Sequence, residues 1–486
     1  MSETIARILI EDEVNIHITG ADLNARRKLV NAVKFFLPHA RYSPAFKLGR
    51  WDGTTSFCTL GGKTYLNMLD KLLPVLVEHG YEIVIDDQRV RHEFDFAEID
   101  ENYLSGIVWP LGHRAAGQPI ILRDYQVDLI NTCLCNMQGI IIAPTSAGKT
   151  IVTASLSRLV QDLGRSVVIV PNKNLVQQTE EDYRNVGLDV GVLYGDRKEY
   201  NRKHTICTWQ SLNVLDKKSK DALDDDQLAE FLNGLVAVIV DEVHAVKDLG
   251  VLHRLLSTTF ANIPIRWGMT GTVPEAEYNQ MSLYSVIGPL VGELEAKDLQ
   301  DAGHLAQCNV NCLQTQETQV YKDYQSELKF LLNNTDRLAW MAQRIQEIAL
   351  TGNTLVLIDR IATGKALIDL IPGSNFISGE MKSTERKEHY KEINLADNAV
   401  MIATYGTTST GISINRIFNL VLVEPGKSFV RVIQSIGRGL RKADDKEAVD
   451  VFDISSTCKF SKRHLTKRVQ HYKKVQYPYV LNKVTY

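Results

Sequence analysis

GIIIAPTSAGKTIVTASLSRLVQ, residues 139–161, is the stretch on which the fold turns. It opens on a short apolar run, passes through a turn of small residues and continues with helical spacing. Strand, loop and helix in that order are the repeating unit of a parallel α/β sheet. The loop departs from the pattern G-x-x-x-x-G-K-[ST] only in carrying Ala143 for the first glycine. Pro144, Thr145, Ser146, Ala147 and Gly148 form a turn that runs into a helix N-terminus, where backbone N–H groups gather around phosphate. Lys149 supplies counter-charge to β and γ phosphates, and Thr150 offers a hydroxyl to Mg²⁺. ATP and Mg²⁺ are therefore the expected cofactors.

A site of this kind needs a carboxylate at the end of a second apolar strand. VAVIV at 236–240 leads directly into Asp241, Glu242, Val243 and His244. Asp241 is placed to hold Mg²⁺ and Glu242 to orient or deprotonate the attacking water. Around these two strands, Ser166–Val170, Thr205–Thr208 and Arg266–Thr270 continue the β-rich pattern. A second set follows at Leu355–Ile358, Asn375–Ile377, Ala399–Thr404, Leu420–Val423 and Asp450–Asp453. The expectation is α/β, with two tandem parallel-sheet lobes behind a small α+β N-terminal domain. The boundaries are drawn at 1–112 for that domain, 118–290 for the first lobe, 291–335 for a connection, 336–458 for the second lobe and 459–486 for a basic tail. Within the first domain, Ala21–Phe36 reads as one helix and the Asp52–Gly53 pair as a β-hairpin turn. Asp216–Glu230 reads as an acidic surface loop.

The bulk numbers narrow the classes. With 486 residues the chain has room for roughly three domains of about 150 residues. A net charge of −3 excludes a protein that coats nucleic acid by overall charge, so any such contact must be local. One local patch is the tail, where Lys459, Lys462, Arg463, Lys467, Arg468, Lys473, Lys474 and Lys483 occur without an acid. A nucleic-acid contact and a solvated terminal helix both fit it. There is no uninterrupted apolar run of about 18 residues to span a membrane. The seven cysteines are scattered, as expected of free thiols in a reducing compartment. The start has no secretory pattern. These features lead to an expected cytoplasmic monomer with no membrane partner, in the host cytoplasm if the chain is phage-encoded.

DEVH, with the phosphate loop before it and QSIGRGLR at 434–441 after it, resembles the DExH-type helicases of superfamily 2 over residues 120 to 445. The resemblance implies two RecA-like lobes and roles for further residues. Arg123 and Gln126 in LRDYQ resemble the adenine-sensing segment. Pro171, Asn172 and Gln178, together with Thr208 and Gln210, resemble loops that touch the nucleic-acid backbone. Thr270 and Thr272 resemble the segment that couples hydrolysis to movement, with His244 and Gln434 as its partners. Arg360 and Thr404 resemble backbone contacts of the second lobe, and Gly411 a nucleotide contact. Arg438 and Arg441 lie three apart on one helix face and resemble the arginines that stabilise charge at the γ-phosphate. Ser413 stands where many members carry an acid that contacts ribose.

RYSPAFKLGRWDGTTSF, residues 41–57, resembles the equivalent stretch of UvsW-type phage recombination and repair helicases. That resemblance implies a DNA helicase or translocase that remodels branched or forked DNA. Arg41, Lys47 and Arg50 become candidate phosphate contacts, while Trp51 fits a folded core turn and Tyr42 is left open between that and a contact. An RNA or RNA–DNA hybrid helicase is the alternative motor, and an ATP-gated nucleic-acid clamp is the non-motor alternative. Lys149, Asp241, Glu242 and the two arginines together favour the motor. The chain shows no nuclease-like cluster and no zinc spacing.

Overall fold

The computed structural model describes residues 4–37, 39–111, 113, 115–221, 226–246, 250–381, 383–408, 414–441, 443 and 445–486. They form two compact units: residues 1–142 with 149–293, and residues 143–148 with 294–486.

The first unit begins with a four-stranded sheet in the order Lys63–Tyr65, Asn15–Thr19, Thr4–Ile10, Tyr81–Asp87. Ile16 and Ile18 alternate inward along their strand, as a half-buried sheet requires. They meet Leu29, Leu72 and Leu76 from helices Leu23–Ala32 and Leu69–Glu78. Asp22 caps the first helix by accepting from the Ala25 N–H at 2.8 Å. That helix stops at Ala32, short of the expected Phe36. Lys34–Phe36 is instead a strand, paired antiparallel with Thr54–Ser56, and it turns Phe35 into the core. The Asp52–Gly53 turn therefore delivers a strand to a partner some twenty residues earlier rather than closing a local hairpin. Gly53 supplies the left-handed φ of 78°.

The same unit holds an eight-stranded sheet in the order Arg197–Lys198, Val190–Tyr194, His204–Thr208, Arg165–Val170, Leu235–Asp241, Ile265–Thr270, Gln138–Ile142, Leu290–Glu293. All neighbours run parallel except the first pair. The two sheets of this unit are not separated by a free linker. Val14 belongs to the core of the larger sheet, and Tyr278 and Met281 belong to that of the smaller. The Glu13 N–H donates to the Ala261 carbonyl at 3.0 Å, and Asn15 Nδ2 to the Ser257 carbonyl at 2.8 Å. The boundary expected near residue 112 marks a change of composition and does not mark a gap in packing.

The expected acidic loop at 216–230 is largely helical, with Trp209–Asp221 and Asp226–Leu232 on either side of residues outside the description. Asp216 is buried there and accepts from Arg254 at 2.8 Å and Thr259 at 2.7 Å. Partners on a neighbouring helix and loop satisfy the Asp216 charge.

The second unit carries a seven-stranded parallel sheet: Asn375–Ile377, Val400–Thr404, Thr354–Ile358, Asn419–Val423, Ala448–Ser456, Gln307–Thr315, Tyr479–Val484. Two expected boundaries are corrected by it. The connection drawn at 291–335 contains an inner strand, Gln307–Thr315. The basic tail is helix Lys459–Lys474 followed by an edge strand. Arg468 anchors that helix: fully buried, it donates to both oxygens of Asp453 at 2.7 Å.

Candidate nucleotide and nucleic-acid site

Parallel strands present their carboxyl ends at one edge, and in open α/β sheets that edge is where ligands bind. Register fixes which loops meet there. Thr270 is level with Ile142, Met269 with Asp241, Ile169 with Val240, and Val170 with Thr208. The loops beginning at 143, 171, 208, 241 and 270 therefore leave the sheet side by side, although they are spread over some 130 residues of sequence.

The phosphate loop follows strand Gln138–Ile142 and gives way to helix Lys149–Val160. Ser146 and Gly148 take left-handed φ values of 74° and 83°, which curl the backbone into a concave turn. Ala143 and Ala147 are buried beneath it. Residues 143–148 cluster with the second unit, and within that unit Ser146 Oγ donates to the Gly437 carbonyl at 3.0 Å. Arg441 Nε donates to Ser146 Oγ at 3.3 Å. Gly437 lies on helix Phe429–Gly439, where an added Cβ would stand 2.6 Å from Thr145. Glycine is thus what lets the helix approach the loop. Arg438 is on the same helix, but its side chain lies outside the described residues, as do Gly411 and Ser413.

Asp241 ends its strand, and the Glu242 N–H donates to its Oδ1 at 2.9 Å. Burial, and next the charge of Glu242, push the Asp241 carboxyl up to about 6, while Lys149 and His244 pull it back. The charge of Lys149 therefore acts on the Asp241 carboxyl. Glu242 adopts φ 51° and ψ 49°, an uncommon conformation for a residue with a side chain, of the kind found at sites where geometry is imposed. Its Oε2 lies 3.2 Å from His244 Nδ1, and the same nitrogen lies 3.0 Å from Thr270 Oγ1. Thr270 in turn donates to the Thr272 carbonyl at 2.9 Å. Glu242, His244, Thr270 and Thr272 thus form one connected chain. The donor set suits a hard cation: one carboxylate, Asp241, and one hydroxyl, Thr150, leave the remaining positions to water and phosphate oxygens, as Mg²⁺ prefers. Among the described residues no cluster of three or more His, Cys, Asp or Glu side chains competes as a metal cage.

Other expected residues take more local roles. Gln126 is buried, and its Oε1 accepts from the Arg123 N–H at 3.0 Å at the start of helix Asp124–Cys135. Arg123 Nη1 donates to the Tyr125 hydroxyl at 2.7 Å. Asn172, after Pro171, caps helix Lys173–Asn185 by accepting from the N–H groups of Asn174 and Leu175 at 3.1 Å. Gln178 lies half-buried on that helix, and Gln210 is exposed. Two strand ends carry the same turn. Thr208 Oγ1 lies 3.0 Å from Ser211 Oγ and accepts the Ser211 N–H, and Thr404 Oγ1 lies 2.7 Å from Thr407 Oγ1 and accepts the Thr407 N–H. Arg360 is exposed one strand away from Thr404 and donates to Gln325 at 2.8 Å. In the N-terminal sheet Arg41, Lys47 and Arg50 are exposed, and Tyr42 is 78% exposed. Trp51 is a turn residue whose indole donates to the Thr54 carbonyl at 2.8 Å.

One residue of this neighbourhood was missed. Lys446 is buried, and its ammonium donates to the carbonyls of Gly439, of Arg441 at 2.8 Å and of Asn415 at 3.2 Å. Helix Phe429–Gly439 ends before Arg441, so Arg438 and Arg441 do not share one helix face as expected, and Lys446 ties the end of that helix and Arg441 just past it to the segment that follows Ser413. Its setting, KADDKEA, reads as a solvated charge run, so nothing local could have flagged it.

The family model for the type III restriction enzyme res subunit matches residues 119–275, the part that contains the phosphate loop, DEVH and Thr270–Thr272. The ATP-dependent DNA helicase uvsW of Enterobacteria phage T4 is 24% identical over 91% of this chain and 92% of its own length. The DNA 3'-5' translocase XPB2 of Sulfurisphaera tokodaii is 28% identical over 42% of this chain and 41% of its own. These similarities are to ATP-dependent DNA helicases and translocases, and the first of them runs along most of the chain. Among solved structures, that of T4 UvsW aligns over 99% of each chain with 20% identity and a TM-score of 0.46. The restriction-modification enzyme LlaBIII bound to DNA aligns over 76% of this chain and 31% of its own, with 14% identity and a TM-score of 0.56. The last likeness is one of fold. No described helix is long and apolar enough to cross a membrane.

Proposed function

We propose that this chain is a superfamily 2 ATP-dependent DNA helicase and translocase that remodels branched or forked DNA. The observation that carries the motor reading is the alignment at one sheet edge of the phosphate loop, Asp241–Glu242 and the His244–Thr270–Thr272 chain. The similarity to UvsW, which extends through the N-terminal segment, supports branched DNA as the substrate.

Lys149 binds and orients the β and γ phosphates while the N–H groups of the loop hold the rest of the polyphosphate. Thr150 and Asp241 would hold Mg²⁺, which when bound offsets phosphate charge. Glu242 orients the attacking water and accepts its proton. His244 is shared between Glu242 and Thr270, so a change at the water-binding carboxylate reaches the 270–272 loop through two short contacts. Arg441 stabilises charge that develops on the γ-phosphate. The Thr208 and Thr404 turns and Arg360 meet the backbone of the tracked strand, and Arg41, Lys47 and Arg50 meet a further part of the DNA.

The deciding experiment measures ATP turnover against single-stranded DNA, duplex, fork, four-way junction, RNA and DNA–RNA hybrid. Lys149→Ala serves as the control. Strongest stimulation by fork or junction, abolished in Lys149→Ala at an unchanged melting temperature, is expected. Equal stimulation by RNA would redirect the proposal to an RNA helicase, and turnover in Lys149→Ala within a few-fold of wild type would remove the phosphate-loop assignment.

A further inference from the structure

Helix Lys459–Lys474 has a face that the site described above does not use. Its inner side, Ser461, Leu465, Arg468, His471 and Tyr472, is buried in the second unit. Its outer side exposes Lys459, Lys462, Arg463, Lys467, Lys473 and Lys474 at helical spacing, and the helix contains no acid. Among the described residues, no carboxylate pairs with Lys459, Lys462, Arg463 or Lys473. The chain as a whole carries −3, so this face is a local concentration of charge, not a sample of the average surface. The field is felt nearby: burial, followed by the charges of Arg468, Lys427 and Arg463, depresses the His464 imidazole to about 4.

The helix is also held rigidly. Asp453 takes two bonds from Arg468 and one from the Tyr472 hydroxyl at 2.7 Å, and Glu327 accepts the Phe460 and Ser461 N–H groups at the helix start. A basic face on a frayed terminus would pay ordering entropy on binding, and this one is already ordered.

Its place gives the partner. The helix begins just after Ser456, at the carboxyl edge of the sheet that also carries Thr404 and Arg360. Tyr324 packs its ring 4.7 Å from His464, and its neighbour Gln325 accepts from Arg360. The basic face thus starts beside a candidate strand contact and runs away from that edge for about 23 Å at 1.5 Å per residue. Duplex DNA carries one charge per about 1.7 Å of axis, so every cation on the face can find a phosphate. Lysines on flexible stems act as point charges and read no sequence.

We propose that this helix face binds the phosphate backbone of a duplex arm of the DNA, separate from the strand tracked by the sheet-edge loops. The inference rests on the DNA-helicase reading above. The test uses the full chain with Lys462, Arg463 and Lys473 all changed to Gln, and a second variant with Lys462→Arg and Lys473→Arg. The probes are a fork with duplex arms and a single strand of the same sequence, with affinity measured across salt concentrations. Three lost phosphate contacts should lower the fork's log–log salt slope by about 2.7 and weaken fork binding tenfold or more. Single-strand binding and single-strand-stimulated turnover should hold, and the arginine variant should keep the wild-type slope. An unchanged fork slope in the glutamine variant would overturn the proposal. Equal loss on single strand and fork would also overturn it, since the face would then belong to the tracked strand. The salt slope reports contacts without any need for turnover. A wild-type chain whose ATPase responds to no DNA would therefore refute the motor reading while this measurement still judged the helix face.

Discussion

Lys446 offers the sharpest test of how Arg441 is placed, because activity and stability should respond to it in opposite directions. Its ammonium serves three carbonyls, those of Asn415, of Gly439 at the end of helix Phe429–Gly439 and of Arg441 just past it. Burial, and next the charge of Arg441, depress the ammonium from 10.5 to about 7, while Asp445, itself paired with Arg416, pulls it up. Burial of the charged form opposes folding, and its three charge-assisted bonds to carbonyls offset part of that cost. Lys446→Met keeps most of the stem and removes both contributions, so unfolding free energy should change by no more than about 1–2 kcal/mol. Turnover should fall further. A misplacement of about 1 Å can cost 10²-fold, so a 10- to 100-fold drop in kcat is expected, short of the roughly 10³-fold expected for Arg441→Ala. In the wild type, kcat should decline as pH rises through about 7, because the neutral amine has only two protons for three carbonyls. Stability should move the other way. Above about 7 the folded lysine is neutral while the unfolded one keeps its proton to about 10.5, so the unfolded state binds more protons and folding gains with pH across that window. Lys446→Arg stays charged and should lose the declining limb. DNA-stimulated turnover from pH 6 to 9, paired with urea unfolding, measures all of this. If Lys446→Met keeps kcat within twofold of wild type and the same pH profile, the clamp does not position Arg441.

Three further outcomes follow from the same geometry. Glu242→Gln should bind ATP, retain Asp241 and hydrolyse at least 10²-fold more slowly, with stopped-flow binding and steady-state turnover separating the two steps; normal turnover would place the water-activating group elsewhere. Because the Asp241 carboxyl stands at about 6 before a cation arrives, protons should compete with Mg²⁺ below that pH. The Mg²⁺ concentration for half-maximal turnover should rise about tenfold per unit of acidification below 6, and a flat dependence between pH 5 and 7.5 would count against Asp241 as the ligand. Arg468→Met strands a buried Asp453 with only the Tyr472 hydroxyl and should cost about 3–5 kcal/mol in urea unfolding; a change under 1 kcal/mol would mean that the C-terminal helix is not part of the second core.

What could be read from the sequence, and what could not, divides along a physical line. The phosphate loop and DEVH stand out because their chemistry needs particular residue types at contiguous positions, directly after apolar strands. The central strands stand out because a parallel strand buried on both faces is an apolar run. Gln307–Thr315, QCNVNCLQT, lies between two parallel neighbours, but its first half alternates exposed polar with buried residues, its Asn and Gln side chains meet partners such as Ser456 and Asp450, and the segment reads as a connection. Tyr479–Val484 is an edge strand with mostly exposed residues and no such run. Helix Lys459–Lys474 looks like a tail because the residue that anchors it, Arg468, is a charge, and Asp453 with the Gly426 carbonyl makes its burial tolerable. Lys446 is the same case at the site itself: its three acceptors come from 415, 439 and 441, and no window of sequence contains the reason for its burial.

The N-terminal sheet shows where this matters for mechanism. Its composition sets it apart, and every residue of the nucleotide chemistry lies beyond Leu122, so it reads as a separable accessory domain. Yet Val14 fills the core of the ATPase sheet, Phe57 packs its ring 5.6 Å from that of Tyr278, and Tyr65 meets His253 edge-on at 5.5 Å. Gln138, at the start of the strand that ends in the phosphate loop, donates to the Glu13 carbonyl and lies 3.1 Å from Asn67. Cutting the chain near residue 112 would open the core on which that strand rests, so a truncated protein with no activity would say nothing about DNA selectivity. The exposed cations at Arg41, Lys47 and Arg50 are therefore carried on the same packed body as the phosphate loop's strand. A DNA arm held there would be fixed to the ATPase sheet rather than tethered to it. That is why point substitutions at those three positions, and not deletion of the domain, separate recognition from folding.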